Sequence, residues 1–339
     1  MPDPGWRPLA PADAAALAEL RTACDAADGS EPGRRSTDEA REDLTAPGVD
    51  LPTGSASLWH EGRPIAHALV RAREHADGTH RMTLDLAVHP AHRSPALTRA
   101  LLDRARASAI RRHEELYPGR GLELHARTHH GQGPLAEVLD AAGYRRARTY
   151  RGMRADLAGP AIPAAPRPPD GTRLVPFDDT FDAALLALRN EVFADTWGSV
   201  PMSPVAWRHT ITGSPYFRPA SSCLLLPADG GRKILSYLLC TEPPRTGPGL
   251  GPERVLYLAN AGTRTGLHGK GLYRAVFAHT LARARAEGRS TAVLDVDTEN
   301  PMASGGFYTR RGFVTFRTWT THVLRVVDPP TRWTGASAG

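Results

Sequence analysis

The residues with the clearest chemical potential form a glycine-rich turn in the second half of the chain. His268, Gly269, Lys270 and Gly271 follow the apolar run 255–261 and precede a helical pattern. Glycines between a strand and a helix let the backbone approach a ligand closely. The exposed N–H groups and the positive end of the helix then make an anion site. We therefore expect a pyrophosphate here, with positive charge from Lys270 and from protonated His268.

The elements that would position this turn occur twice along the chain, in the same order. In the first half they are Ala10–Ala27, Ala56–Trp59, Pro64–Arg71, Met82–Val88, Pro95–His113, Leu122–Ala126 and the pair Gly143-Tyr144. In the second half they are Thr180–Trp197, Ser222–Leu226, Lys233–Cys240, Val255–Ala261, Gly271–Glu287, Thr291–Val296 and the pair Gly312-Phe313. The repetition indicates an internal duplication. Strands alternating with helices predict an α/β fold with two tandem domains, each a central mixed sheet flanked by helices.

A segment rich in proline and alanine separates the two halves. Residues 156–171 show no apolar periodicity, which is typical of an extended linker. We therefore expect a first domain at 1–155, a second at 172–328 and a flexible tail at 329–339. A chain of 339 residues suits two domains.

Composition predicts a cytoplasmic protein with an anionic partner. No run approaches the roughly 20 apolar residues of a membrane helix, and the N-terminus does not resemble a signal peptide. Three distant cysteines exclude a disulfide framework and lack zinc-site spacing, so we expect no metal. The first 160 residues contain 22 arginines and 22 acidic residues, so the net charge of +6 belongs to the remainder. That charge favours an anionic partner such as a nucleotide, a phosphorylated cofactor or RNA. Codon bias in a GC-rich genome, which favours arginine, explains the charge equally well.

Two segments of the second half resemble the signatures of the GNAT acyltransferase superfamily. The stretch 268–273 is similar to the acetyl-CoA pyrophosphate loop, Arg/Gln-x-x-Gly-x-Gly/Ala, with Gly271 at the glycine position. It departs from that loop at His268 and at Tyr273. The stretch 294–313 resembles the second signature more closely, and the matching residues are Asn300, Ala303, Tyr308, Gly312 and Phe313.

The segment 188–207 is also similar to tandem GNAT proteins of the mycothiol synthase kind. The resemblance covers most of residues 172–326 and, more loosely, residues 7–155. It implies an N-acyltransferase that moves an acyl group from acetyl-CoA, or from another acyl-CoA, to a primary amine of a small metabolite in one ternary complex. A monomer or a homodimer is compatible with it.

The resemblance also implies where the cofactor and the catalytic groups lie. The cofactor-binding residues that it implies are Ala261, Gly262, Thr263, His268, Gly269, Lys270, Gly271, Leu272, Tyr273 and Asn300. Backbone N–H groups of the first three would polarise the thioester carbonyl. Asn300 precedes Pro301, and it suits a helix N-cap equally well.

Tyr308 is the expected general acid, because a phenol with an ordinary pKa near 10 stays protonated at neutral pH. It can therefore protonate a departing thiolate, although a buried core tyrosine is the alternative. The general base is less evident. Glu253 is the first candidate, and Glu242 and Asp295 are two further candidates, because a carboxylate can deprotonate an ammonium group.

The first half has lost these features. Ala96 stands at the glycine position of its loop, and Pro95 removes a backbone donor next to Ser94. Leu139 occupies the place of Tyr308. We therefore expect the first half to hold CoA weakly, to cover the active site or to bind substrate, without catalysing a reaction.

Two other functions are compatible with the sequence. In the first, acyl- or aminoacyl-tRNA replaces acyl-CoA as the donor, which Arg310 and Arg311 beside Tyr308 would favour through phosphate contacts. In the second, the protein is a non-catalytic CoA-binding pseudoenzyme, for which the altered loop residues His268 and Tyr273 argue.

Overall fold

Strands from both halves form one mixed sheet in the computed structural model of this protein. The structure describes residues 5–29, 35–73, 78–160, 162, 167–242, 255–300, 302 and 305–328. The strands there are β1 (Trp6–Arg7), β2 (Ser55–His60), β3 (Arg63–Ala72), β4 (Thr79–Val88), β5 (Gly121–His129), β6 (Arg145–Asp156), β7 (Thr172–Pro176), β8 (Cys223–Pro227), β9 (Ser236–Thr241), β10 (Val255–Thr263), β11 (Thr291–Asp297) and β12 (Val314–Val327). The helices are α1 (Ala14–Asp28), α2 (Thr37–Leu44), α3 (Leu51–Gly54), α4 (Pro95–Leu116), α5 (Gly133–Ala141), α6 (Asp182–Val192), α7 (Pro204–Trp207) and α8 (Leu272–Ala286).

The predicted mixed α/β fold is confirmed, and apolar side chains at helical spacing attach the helices to both faces of the sheet. On one face, α4 packs on β3, β4 and β5, and α8 packs on β8, β9 and β10. On the other face, α1 and α2 cover the first half and α6 and α7 cover the second. We call these the α8 face and the α6 face. The two groups of helices contact each other on the α6 face, where the hydroxyls of Ser36 and Tyr216 lie 3.2 Å apart and Nε2 of His209 lies 3.2 Å from the carbonyl oxygen of Glu42.

The order of strands shows that the two halves share their last strands. The order is β1-β2-β3-β4-β5-β12-β6-β11-β10-β9-β8-β7. The final strand of the chain, β12, pairs with β5 of the first half along one edge and with β6 along the other. The last strand of the first half, β6, also pairs with β11 of the second half. Each half therefore ends in a strand that completes the sheet of the other.

The sequence patterns did not predict β6 and β12, because both halves were expected to end at their Gly-aromatic pairs. The β6 segment contains five arginines, and the two ends of β6 and β12 differ in burial. Neither strand therefore shows the regular alternation of a half-buried strand. The predicted helix at 180–197 is also shorter, since α6 ends at Val192 and the chain then turns toward the first half.

The start of the predicted linker is attached to the second half. Ala155 pairs with Ala292 at the end of β6, and Leu157 and Ile162 are buried in the core beneath α8. The boundaries at 155 and 172 remain a prediction. The predicted tail, 329–339, lies outside the described residues. None of the described helices is long and apolar enough to cross a membrane.

His67 on β3 makes folding stability depend on pH. Its ring is fully buried among Asp85, Asp43, Arg21 and Arg35, and burial lowers its pKa from 6.5 to about 4. The unfolded chain therefore binds a proton near pH 6.5, whereas the folded chain resists protonation until about pH 4. Stability conferred by the neutral ring is present above pH 6.5 and is lost as the pH falls toward 4.

We expect His67 to contribute a loss of about 2 kcal/mol in the free energy of unfolding between pH 7.5 and pH 5. Denaturant titrations at the two pH values measure it in the wild type and in His67→Gln. The wild type should lose more stability than the variant by that amount. The exposed His130→Gln variant serves as the control. Equal losses in wild type and His67→Gln would contradict the assignment.

Candidate functional site

Two neighbouring parallel strands separate in the middle of the second half. β10 and β11 pair from Val255 with Thr291 to Leu258 with Leu294, and no further. Beyond that point β10 remains paired with β9 up to Thr263, after a bulge between Leu258 and Asn260. β11 remains paired with β6 up to Asp297. The result is an opening between the diverging strands, which we call the fork.

One edge of the fork carries three of the predicted cofactor-binding residues. Ala261, Gly262 and Thr263 lie on β10 past its last pair with β11, so the edge that faces β11 has no strand partner. Backbone groups on such an edge are available to a ligand. Gly262 has a further reason to be glycine, because a Cβ there would lie 2.9 Å from the ring of Tyr237 and 3.0 Å from Val192.

The predicted anion loop lies between β10 and α8. Gly269 and Gly271 have φ values of +78° and +75°, a conformation that favours glycine, and no atom lies within 4 Å of the Cβ that either would carry. Gly271 is the N-cap of α8, and no side chain caps the helix. His268 and Lys270 are exposed beside it, whereas Leu272 is buried. The loop therefore presents uncapped N–H groups, the positive helix end and basic side chains to solvent.

Tyr308 lies on the α8 face among aromatic rings. It is 8% exposed and packs with Phe277, Phe307 and Phe313. Its hydroxyl lies 3.5 Å from that of Tyr273 in the first turn of α8. Burial raises the pKa of both phenols, so both stay protonated at neutral pH. A proton donor is thus held beside the start of α8.

Asp295 lies at the fork on the opposite face of the sheet. It is the first residue of β11 after the last pair with β10, and it accepts a hydrogen bond from the hydroxyl of Tyr257. Nη2 of Arg317 lies 3.1 Å from both of its carboxylate oxygens. Burial raises the pKa of Asp295 to about 6, while Tyr257 and the positive charge of Arg127 favour the carboxylate. Asp295 is therefore a carboxylate at neutral pH that takes up a proton readily.

Gly152 on β6 allows the contact between Arg317 and Asp295. Register places Gly152 between them, opposite Asp295 on one side and Arg317 on the other. A Cβ on Gly152 would collide with the Arg317 side chain. The arginine therefore crosses β6 over a residue that has no side chain.

The other sequence candidates have different surroundings. Glu242 forms ion pairs with Arg218 and, at 2.8 Å, with Arg289, and these bonds lower its pKa against the opposing effect of burial. It is a poor proton acceptor. Glu253 lies outside the described residues, as does Ala303. The side-chain oxygen of Asn300 accepts a hydrogen bond from the N–H of Met302 at 2.9 Å, which matches the capping role considered above.

The first half contains a similar fork with a different loop. β4 and β5 separate after Leu84 and Ala126. At the start of α4, however, the Ser94 hydroxyl accepts a hydrogen bond from the N–H of Leu97, and Pro95 occupies the first turn. Arg93 is paired with Asp28 at 2.6 Å. The groups that face a ligand in α8 are thus bonded within the protein in α4.

Sequence reasoning missed Tyr257, Arg317 and Gly152. Tyr257 belonged to a predicted strand, but its bond to Asp295 joins two strands that are far apart along the chain. Arg317 and Gly152 lie on the two strands that were not predicted. The only sequence signal for these contacts is Gly152, which lies within the arginine-rich segment 145–154. A glycine inside a strand is typical of close approach by another group.

Curated relatives align along most of the chain. The mycothiol acetyltransferase of Salinispora arenicola is 31% identical over 323 residues, which are 93% of each protein. That of Geodermatophilus obscurus is 31% identical over 309 residues, 90% of this chain and 92% of its own. No protein-family model matches the chain.

Solved structures share the fold. A GCN5-related N-acetyltransferase from Sphaerobacter thermophilus superposes with a TM-score of 0.75 at 22% identity, covering 96% of both chains. A tandem GNAT protein from the clavulanic acid biosynthesis pathway has a TM-score of 0.69 at 18% identity, covering 94% of this chain and 98% of its own. These superpositions extend over both halves and match the tandem arrangement.

Proposed function

This chain belongs to the mycothiol acetyltransferase family of GNAT enzymes, and we propose that it transfers the acyl group of an acyl-CoA, acetyl-CoA first of all, to a primary amine of a small metabolite. The transfer would take place in the second half, by direct attack of the amine in a ternary complex. The proposed acceptor is an aminosugar-type or amino-acid-derived amine.

One contrast carries the proposal, the difference between the two helix N-termini. In α8, Gly271 leaves the first turn uncapped, and Lys270 adds positive charge. In α4, Ser94 and Pro95 fill the corresponding place. A phosphate group gains typically 0.3–1 kcal/mol from the helix dipole alone, and charge-assisted bonds to free N–H groups add to it. These features support binding of the CoA pyrophosphate at residues 268–273.

Acetyl-CoA supplies a thioester, whose carbonyl carbon forms the new bond to nitrogen while the bond to sulfur breaks. In the proposed arrangement the thioester lies in the fork beside Ala261, Gly262 and Thr263. A backbone N–H from this unpaired edge would stabilise the oxygen as it gains negative charge. The two faces of the sheet then present a proton acceptor and a proton donor on either side.

Asp295 is the proposed general base on the α6 face. With a pKa of about 6 it is ionised at pH 7, and its basicity lies near the operating pH, which is favourable for proton transfer. It would take a proton from the ammonium group and leave a nucleophilic amine. Glu253 remains a second proposed base, and the two carboxylates are separable by substitution.

Tyr308 is the proposed general acid on the α8 face. Its raised pKa keeps the proton in place until a thiolate leaves. Tyr273, whose hydroxyl lies nearby, would orient that proton. The second proton that the nitrogen loses as the amide forms would return Tyr308 to its protonated state. Tyr273, one of the two residues at which the loop departs from the GNAT pattern, thus contacts the proposed acid Tyr308.

No observation favours tRNA as the donor. Arg310 and Arg311, which motivated that alternative, donate hydrogen bonds to the carbonyl oxygens of Gly305 and Phe307 at 2.6 and 2.7 Å. Arg311 also lies over the ring of Phe307. Both guanidinium groups thus serve the local turn.

Tyr308→Phe should lower kcat at least 100-fold and leave the Kd for CoA unchanged, because only the proton donor is removed. Thiol release from acetyl-CoA measures turnover, and calorimetry measures binding. Tyr273→Phe is the matched control and should reduce kcat much less. If Tyr308→Phe retained wild-type turnover, Tyr308 would have a packing role only.

Asp295→Asn should lower kcat/KM by about 100-fold or more and remove the acid limb of its pH profile, because the base no longer titrates. In the wild type, kcat/KM should fall as the pH drops below about 6, where Asp295 becomes protonated. Glu253→Gln is measured in parallel. Loss of the limb in Glu253→Gln, and its persistence in Asp295→Asn, would transfer the role to Glu253.

A further inference from the structure

A large cavity lies in the first half of the molecule, outside the fork of the second half. Its volume is about 690 Å³, and it extends between α1, β4, β5 and the loops that follow the two strands. Charged side chains line much of it. The arginines among them are Arg21, Arg35, Arg71, Arg73, Arg93 and Arg127, and the aspartates are Asp25, Asp28, Asp43 and Asp85.

Most of these charges neutralise one another. Arg21 is paired with Asp43 and Asp85, Arg35 with Asp25 and Glu39, and Arg93 with Asp28. Arg71 lies 3.5 Å from Asp43. The four aspartates are therefore already engaged.

Arg73 and Arg127 differ from the others. Across the described residues, neither has a carboxylate within ion-pair distance, and the bond that Arg73 makes is to the carbonyl oxygen of Gly198, at 2.8 Å. Burial lowers the pKa of Arg73 to about 10, and the positive charge of Arg127 lowers it further. Two guanidinium groups of like charge thus face the same cavity without an anion. Arg73 is partly buried and Arg127 is exposed. An anion that binds beside Arg73 would offset the cost of burying that cation without a counter-ion, and Arg127 adds positive charge to the same cavity.

One of the residues that line the cavity, Arg127, lies near the proposed reaction centre. Arg127 lies on β5 opposite Thr321 of β12, and its charge affects the pKa of both Asp295 and Tyr257. The second half closes over the same region. The ring of Trp197 stacks on His125, with the ring centroids 5.4 Å apart, and Gly198 accepts the bond from Arg73.

We propose that this cavity binds the acceptor through an anionic oxygen group, a carboxylate or a phosphate, held by Arg73 and Arg127, with the amine directed toward Asp295. The inference rests on the proposed function for the identity of the ligand as an acceptor. Guanidinium groups suit this role because their planar donors match carboxylate and phosphate oxygens. The capped start of α4 disfavours the alternative that the cavity holds a second CoA pyrophosphate.

Binding of simple anions tests the site without turnover. Calorimetric titrations of the whole protein with glutarate, with inorganic phosphate and with neutral glutaramide are made at constant ionic strength. We expect glutarate or phosphate to bind and glutaramide not to bind, and the stronger of the two anions identifies the group. Arg127→Gln should weaken that binding at least ten-fold. Arg99→Gln, which removes an exposed arginine of α4, should leave it unchanged.

A second measurement connects the site to the acceptor. With acetyl-CoA as donor, primary amines that carry a carboxylate or a phosphate are compared with neutral counterparts, such as alanine with alaninamide and glucosamine 6-phosphate with glucosamine. The anionic member of at least one pair should have a kcat/KM at least ten-fold higher. Arg127→Gln should abolish that preference mainly through KM.

Three results would overturn the inference: no anion binding by the wild type, equal binding by Arg127→Gln and Arg99→Gln, or a second equivalent of CoA that Arg127→Gln removes. Failure of the proposed function would give a different pattern of binding results. In that case the wild type binds glutarate or phosphate in an Arg127-dependent manner but does not bind CoA at residues 268–273.

Discussion

The pairing of β12 with both β5 and β6 is the constraint on which the rest of the structure depends. It joins two similar halves into one sheet and places strands of the first half next to the proposed reaction centre of the second. Arg317 reaches Asp295 because β12 lies one strand beyond β6, and Arg127 acts on Asp295 because β5 lies next to β12. Without the pairing of β12 with β5 and β6, Asp295 would lack both Arg317 and Arg127 as neighbours. The two halves are therefore chemically interdependent as well as connected.

The two halves contain similar forks with different surroundings. In the second half, the start of α8 has no side-chain cap and its glycines leave open space, so the backbone itself can bind an anion. In the first half, a serine hydroxyl, a proline and an arginine–aspartate pair take over those positions. The first half instead presents a charged cavity beside the centre of the molecule. In the arrangement that we propose, the second half binds the donor and the first half binds the acceptor.

Local sequence features predicted the parts of the site that depend on neighbours along the chain. The turn at Gly269 and Gly271 follows from a strand, two glycines and a helix in succession, and the two repeated sets of elements predicted the α/β fold. The group around Asp295 was not predictable, because Tyr257, Arg317 and Arg127 come from three different strands. Their proximity depends on the position of β12, whose pattern did not indicate a strand. Asp295 was one of three candidate carboxylates by sequence, and only its burial and partners distinguish it from Glu242.

The most direct test of CoA binding at the start of α8 is a calorimetric titration with CoA of the wild type and of two variants that add the same charge to corresponding helices. Gly271→Asp places a carboxylate at the start of α8, and Ala96→Asp places one in the first turn of α4. We expect one equivalent of CoA in the wild type, at least ten-fold weaker binding in Gly271→Asp and unchanged binding in Ala96→Asp. Weaker binding in Ala96→Asp, with Gly271→Asp unaffected, would contradict the assignment of the cofactor to the second half.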